Sequence, residues 1–592
     1  MTVSLSGMSL HTNNDNEGGW GGTDGPDTYN NAVQGSNSES WQVSKNSTET
    51  GTLTKSSTLS TTRGIFTFWM SSNLAPYYTD VKLDMQSTTN NYKQFTVATS
   101  TDKAIGGNFV ASAIDFINKG TSTGTFAPAN FAVTRIIVDN SSSGNIRSVI
   151  NNWIDAMYFG PGHTVSGTTT GDELFKEAAV VDELAANQYG VMWNYNGIIY
   201  SQGDIDLTGT ALTSDSETLV FVDTINGYDT YNFDISGTAT FKNTGIIGAG
   251  TIDFNLDASG ATAFSMTGGF LTSCKALTLI DGQTFDDVVL NSCATSSVAN
   301  DPDGCTWNTS GLITIETNGS LTNCTINQST STESVTTASI EVLTGNTFIS
   351  DGSNHAVILT SIGDGSMDWD NQLSGYASSD GSTGNEGVYV NVGSGNLTIN
   401  VASGASTPSI RTAGATVTVV AGAVTVQVRV VDSEGGNIEN ANVMIRAADG
   451  TGPYPYQESV TITSSGTTAT VTHTAHGLAT NDKVDILGVT NGANYDGVKQ
   501  ITVTNANTYT YTLGATQTSP ATGTITSTFV ALQGLTNASG IINTSRTYAT
   551  DQPITGWARK STASPYYKQA GINNTIDSAS GLSAVALLIL DE

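Results

Sequence analysis

The chain is 592 residues long, too much for a single hydrophobic core, so several domains in series are expected. Charged residues make up only 12%, about half the usual share, with Thr, Ser, Asn and Gly in their place, and 8% aromatic residues exclude a disordered chain. Asp and Glu number 52 against 21 Lys and Arg, a net −31 that repels nucleic acid and anionic lipid, so neither is an expected partner.

At the N-terminus, Met1 to Gly7 shows neither the basic nor the apolar region of a signal peptide, which predicts synthesis in a cytoplasm that keeps thiols reduced. Residues 1–165 carry strand-like runs, Gly64 to Met70 and Phe131 to Val138, between Gly-rich loops, and four tryptophans, Trp20, Trp41, Trp69 and Trp153. The order of the stretch around Trp20, the segment Gly35 to Val43 and the late run Trp153 to Tyr158 resembles a lectin-like jelly roll. That resemblance implies a β-sandwich, and it implies that Asp155, with Asp15 and Asp24 as partners, stands where related modules bind calcium; the metal assignment is left open.

Residues 166–200 are read as helix and linker. Thr170 and Glu173 form a capping box, Leu174, Ala178, Val181, Leu184 and Ala185 share one helical face, and Gly190 is placed to end it.

From residue 201 to 422 the pattern becomes repetitive. Tyr231 to Ile235 alternates strictly and Ile252 to Leu256 repeats it, with Phe233 and Phe254 21 residues apart. Further rungs are read at Leu277 to Ile280, Leu312 to Ile315, Ile340 to Val342, Val388 to Val392 and Leu397 to Val401. Cys274 and Cys293 are 19 residues apart, as are Cys305 and Cys324. Short strands recurring near every 20 residues between Gly, Asn and Asp turns mark a β-solenoid, read as a right-handed parallel β-helix. The cysteines are expected as reduced, inward-facing rung residues, since no pair has the C-x-x-C spacing of a zinc or redox site.

Residues 423–592 change character again. Val424 to Val430, the turn Asp432 to Gly435 and the run Ile438 to Ile445 resemble the start of a transthyretin-like sandwich, in which these two strands pair. Asn537 to Gly540, Ile554 to Trp557 and Ala584 to Ile589 resemble its second half. Between them lies an insertion at about residues 458–527. Its segments Thr472 to Leu478, Asp482 to Gly488, Tyr495 to Gly497 and Thr508 to Leu513 resemble a small β module common in tailed-phage structural proteins. The chain is therefore expected to be all-β: jelly-roll-like sandwich, β-solenoid, and C-terminal β-sandwich with an inserted module. The resemblance implies a virion protein without enzymatic activity. It would be a homotrimeric spike or fibre bound to other virion proteins, presenting its terminal modules to host cell-surface glycan. The alternatives are a capsid decoration or head fibre without a receptor role, and a glycan-depolymerising tailspike. A bacterial adhesin is disfavoured.

The enzyme alternative needs two carboxylates about 5–10 Å apart in a sugar-shaped cleft. The candidates are Asp281 with Asp286 and Asp287, and Asp364, Asp368 and Asp370 flanking Trp369, which would stack on a sugar ring if exposed. Both strings are also ordinary turn chemistry, and the second lies in a Gly/Ser-rich stretch read as a loop. A polysaccharide lyase fits less well: between Lys275 and Arg411 there is no Lys or Arg, and His355 is the one histidine. His473 and His476 form an H-x-x-H off any helix, a weak metal signal. No nucleophile elbow, P-loop or dinucleotide fingerprint is present, so no catalytic residue and no cofactor is assigned.

Overall fold

In the computed structural model the alternation at Tyr231 to Ile235 is a strand, Thr230–Ile235, with Tyr231, Phe233 and Ile235 buried and Asn232 and Asp234 facing outward. The period-2 geometry of an extended chain puts every second side chain on the same face, so such a run buries one full side. The structure describes residues 4–12, 20–22, 27–29, 38–44, 48–72, 80–99, 110–139, 149–167, 172–174, 192–578 and 580–591. They fall into two compact units: residues 1–338 with 342–361 and 374–389, and residues 339–341 and 362–373 with 390–592.

The first unit opens with an antiparallel sandwich. One sheet runs Val110–Asp115, Ile65–Ser72, Val149–Gly160, Ser38–Ser44, Asp27–Tyr29; the other runs Thr121–Thr123, Asn91–Thr99, Asp80–Thr88, Phe131–Asp139, Thr48–Ser57, Trp20–Gly22. Phe66, Phe68, Leu83, Phe95, Ile136 and Met157 pack between them.

Parallel pairing begins at Gly162–Ser166, earlier than the expected boundary at 201. That strand starts a row continuing through Asp204–Leu207, Thr230–Ile235, Asp253–Asp257, Cys274–Leu279, Thr295–Val298, Leu312–Ile315, Glu333–Thr337 and His355–Leu359. A second parallel row takes Ile198–Ser201, Thr218–Phe221, Gly245–Gly248, Phe270–Thr272, Val289–Asn291, Thr306–Asn308, Thr325–Asn327 and Leu343–Ile349, and a shorter third ends at Thr284–Asp286. The chain visits the rows in rotation, which is a parallel β-solenoid. One of its corners repeats a device. Asn243, Asp287 and Asn323 adopt positive φ, and Gly268, Gly304 and Gly345 stand one coil on, where a Cβ would meet the corner side chain's oxygen at 2.4–2.7 Å.

Three expectations are corrected at this point. Phe233 stands opposite Leu256, and Phe254 opposite Tyr231, so this coil takes 23 residues instead of 21, an even shift that keeps the same face inward. Ile340–Val342 is a 3₁₀ turn and not a rung. Of the expected helix, Asp172–Glu173 is a short strand paired in parallel with Leu212 and Thr213, so no capping box forms at Glu173; residues 175–191, which would carry the rest, lie outside the described residues. The cysteines do occupy equivalent inward positions: Ala276 pairs with Thr295 and Thr306 with Thr325, which brings Cys274 over Cys293 and Cys305 over Cys324, all buried and unbridged.

The second unit contains three parallel rungs, Ser366–Ser374, Asn396–Val401 and Thr416–Val420. Its sandwich follows. Ala423–Val431 lies between Ile541–Thr547 and Leu582–Leu587. The larger sheet runs Gly497–Gln500, Lys483–Val489, Gly523–Leu535, Asn442–Ala447, Gln552–Lys560, Tyr567–Ile576. The fourth correction falls here: Asn442–Ala447 does not pair with Ala423–Val431 but crosses to the larger sheet, because Val443 and Ile445 complete the core opposite Val426 and Val428. The turn between them is as read: Asp432 accepts from Glu434 and Gly436 N–H at 2.9 and 2.8 Å, and Gly435 takes positive φ. The insertion builds a four-stranded sheet, Thr461–Ser465, Thr468–Thr472, Thr508–Thr512, Thr502–Asn505, and lends Lys483–Val489 to its host.

Candidate functional site

The solenoid register assembles an acidic row that the sequence reading missed. Asp206 pairs with Asp234, and Asp234 with Asp257, so three outward carboxylates stand on consecutive coils. Strands in a sheet are about 4.8 Å apart, close to the roughly 5–5.5 Å that separates the two carboxyls of a retaining glycosidase. Partial burial, then the charges of Asp257, Asp204 and Asp206, push the Asp234 carboxyl up to about 6 against the pull of Arg63. Asp206 accepts from Ser236 Oγ at 3.0 Å and Asp257 from Ser259 N–H at 2.8 Å. The signal was legible: Asp-Ile-Asp-Leu, Asn-Phe-Asp-Ile and Phe-Asn-Leu-Asp each carry an outward acid once the coils are aligned. The row lies on an outward sheet face, and neither of two cavities, of about 270 and 440 Å³, is lined by it.

Beside it, Arg63 ties the first sandwich to the solenoid. Its guanidinium ion-pairs with Asp204, donates to Thr230 O at 2.7 Å and lies 3.8 Å over the Tyr228 ring. Asn226 Nδ2 donates to Thr96 O at 2.6 Å, so sandwich and first coils share a polar seam.

The acids singled out from sequence are not brought into a cleft. Trp369 is fully buried and donates through Nε1 to Ser406 O at 2.8 Å, so it cannot stack on a sugar. Asp368 and Asp370 lie on the strand Ser366–Ser374 and not in a loop; their alternation with Trp369 turns them outward. Asp368 accepts from Asn400 Nδ2 at 3.3 Å. Asp286 accepts from the Asp303 N–H at 3.2 Å, Asp287 forms a corner, and Asp281 reaches Asn318 at 3.5 Å.

The histidines are structural. His476 accepts from Leu478 N–H at Nδ1 (3.0 Å) and faces Asn505 O with Nε2 (3.1 Å), which uses both ring nitrogens. His473 is buried beside it, and that burial, then the His476 charge, lowers it to about 4. His355 Nδ1 meets Glu386 O at 2.8 Å. Among the described residues no cluster of three His, Cys, Asp or Glu is spaced for a metal. Asp15 and Asp24, and the side chains of Asp155, Trp20, Trp41, Trp69 and Trp153, lie outside the described residues.

Of the C-terminal aromatics, Tyr454 packs on Phe529 and donates to Thr547 O at 2.7 Å, a core role, whereas Tyr566 is exposed. It neighbours an apolar row. The strand Leu582–Leu587 ends its three-stranded sheet, and Val585, Leu587 and Ile589 are 66%, 54% and 63% exposed. Leu590 is exposed too, and Ile589 O accepts from Lys568 N–H at 2.8 Å.

The sequence matches no family model and no curated protein. Among solved structures, TmCBM61 in complex with beta-1,4-galactotriose is similar at 14% identity over 26% of this chain and 97% of its own, with a TM-score of 0.18. The Agl-KA catalytic domain matches at 10% identity over 73% and 87%, TM-score 0.19. The catalytic domain of GH87 alpha-1,3-glucanase in complex with nigerose matches at 12% over 71% and 85%, TM-score 0.20. Scores this low carry no argument about activity.

Proposed function

We propose that the chain is a non-enzymatic structural protein of a virion, a homotrimeric spike or fibre of a tailed phage that attaches to the host surface through its terminal β modules. The observation that carries the reading is the apolar edge strand. An outward face with exposed Val585, Leu587 and Ile589 invites burial against another chain, since a contiguous apolar patch on a soluble protein marks an interaction surface. Further copies of this chain are the occupants this reading commits to, since two such uncharged rows can meet without opposing the −31 charge carried elsewhere. The resemblance of the inserted module to tailed-phage structural modules supplies the setting. Light scattering should give three times the 61.4 kDa chain mass, stable in mild detergent, and Leu587→Lys should lower it; a stable 61.4 kDa species overturns the assembly. Imaging of particles labelled on this protein separates a tail appendage from a head fibre.

The Asp206–Asp234–Asp257 row favours a second reading, a glycan-cleaving spike. Release of reducing ends from purified host polysaccharide that disappears in Asp234→Asn would establish it and overturn the non-enzymatic one.

A further inference from the structure

In the second unit a groove of about 270 Å³ opens where the edge strand Ile541–Thr547 meets the strand Gly523–Leu535 and the start of Lys483–Val489. Its polar wall is built by Asp482, Lys483, Gln533, Asn543, Thr544 and Ser545. The charges there are unequal. Asp482 is fully engaged: one carboxylate oxygen holds the Arg546 guanidinium, and the other accepts the Ala479 N–H at 2.7 Å. Arg546 is fixed in turn by the rings of Tyr454 and Phe529, at 4.2 and 4.8 Å from its guanidinium carbon. On the same strand as Lys483, Asp485 is paired with Arg446 at 2.8 Å. Lys483 is left over: its Nζ reaches only Gln533 O, at 3.5 Å, and among the described residues no carboxylate pairs with it.

We infer that this groove is a binding site for a carboxylated sugar, a uronate residue of a surface glycan. One surplus positive charge matches one carboxylate, and a fixed ammonium attracts an anion more strongly in a recess than on open surface. Thr544, on the same strand face as Arg546, offers a hydroxyl of the kind that sugar hydroxyls require, and Gln533, Asn543 and Ser545 line the rest of the recess. The volume lies just below the roughly 300–1,000 Å³ of drug-sized sites, room for about one ring. The solenoid cannot supply this chemistry, having no Lys or Arg between Lys275 and Arg411. The inference names the receptor class for host attachment and takes its biological sense from that reading.

The test is calorimetric titration of the full chain with trigalacturonate and with uncharged galactotriose. Trigalacturonate should bind saturably and weaken with salt, and galactotriose should bind at least tenfold more weakly. Lys483→Gln should lose at least tenfold in affinity, Thr544→Asp, a half-buried change that sets a negative charge on the groove wall, should do the same, and Lys499→Gln, outside the groove, should bind as wild type. No saturable binding, equal binding of both sugars, or unaltered binding by both groove variants overturns the site and leaves a hydrated seam. Cell binding separates the two ideas. Attachment unchanged by Lys483→Gln removes the groove as receptor site and leaves the attachment reading standing, whereas Lys483-dependent uronate binding without cell attachment upholds the groove and sinks that reading.

Discussion

In the solenoid, Asn308 donates to Asn291 at 3.1 Å and accepts from Asn327 at 3.3 Å; in the C-terminal sandwich, Arg446 meets Asp485 and Arg546 meets Asp482. Parallel coils set like residues over like. An amide carries both donor and acceptor, so a stack of asparagines satisfies itself without any cation. A carboxylate only accepts, so Asp206, Asp234 and Asp257 cannot satisfy one another, and partial burial, then their mutual repulsion, makes the middle one hold its proton to about 6. The antiparallel sandwich brings unlike residues together and pairs acids with arginine. The contrast explains how a long stretch of solenoid dispenses with Lys and Arg.

The largest effect that would sharpen this comparison is in the solenoid core. Trp307 is fully buried between Leu290 and Ile326 of the neighbouring coils, and Trp307→Ala should cost about 3–5 kcal/mol. Trp557→Ala, on a half-buried site of the sandwich, should cost about 1–2 kcal/mol in the same urea titration. Equal losses would mean that stacking the coils adds no packing over an ordinary sheet.

Next comes acid. Complete burial lowers His163, on the first parallel strand, to about 4, below an unfolded value near 6.5. The unfolded chain therefore takes up the proton first. Stability is full above about pH 6.5 and falls by about 3 kcal/mol as the pH drops to 4. Unfolding measured across that window should show the slope, and His163→Phe should flatten it.

Asn308→Ala removes two ladder bonds and should cost about 1 kcal/mol, while Asn308→Asp should cost more by starting a second carboxylate stack. Thermal melts of both variants check the order; an aspartate no worse than alanine would break the donor–acceptor account.

Asp234→Asn should act in the opposite sense and stabilise. A carboxyl raised to about 6 in the fold destabilises it above its unfolded value near 4, so the gain is full at pH 7 and vanishes below pH 4. After discounting for solvent screening of an exposed side chain, it is about 1 kcal/mol or less.

The smallest expected effect is none at all: dithiothreitol should leave the melting temperature unchanged, since the four cysteines are unbridged. Burial first, then the bond to Cys293, raises the Cys274 thiol, and the bond to Cys324, then burial, raises Cys305, so thiol reagents should not label the native chain. A clear drop in melting temperature would argue for bridges.

What the sequence determined by itself is periodic and local. The alternation at Thr230–Ile235 and the Asp432 to Gly435 turn follow from backbone geometry within a few residues, the 19-residue cysteine spacing repeats once per coil, and each was legible. Tertiary structure decided what depends on which partner a residue meets. A two-residue shift in register moved Phe233 from Phe254 to Leu256 without altering which face was buried, and only the neighbouring coil could choose between them. The same register aligned Asp206, Asp234 and Asp257, which lie 23 or more residues apart and carry no mark of one another in the chain. Trp369 looked available because acids flank it, yet the strand's alternation buries it against Ser406, 37 residues on. Asn442–Ala447 crossed to the other sheet because apolar alternation fixes a strand's buried side and leaves its neighbour unspecified. Lys483 became an unpaired cation only when Arg546, far along the chain, took Asp482. Charge balance at a site is a sum over neighbours, and neighbours are set by the fold.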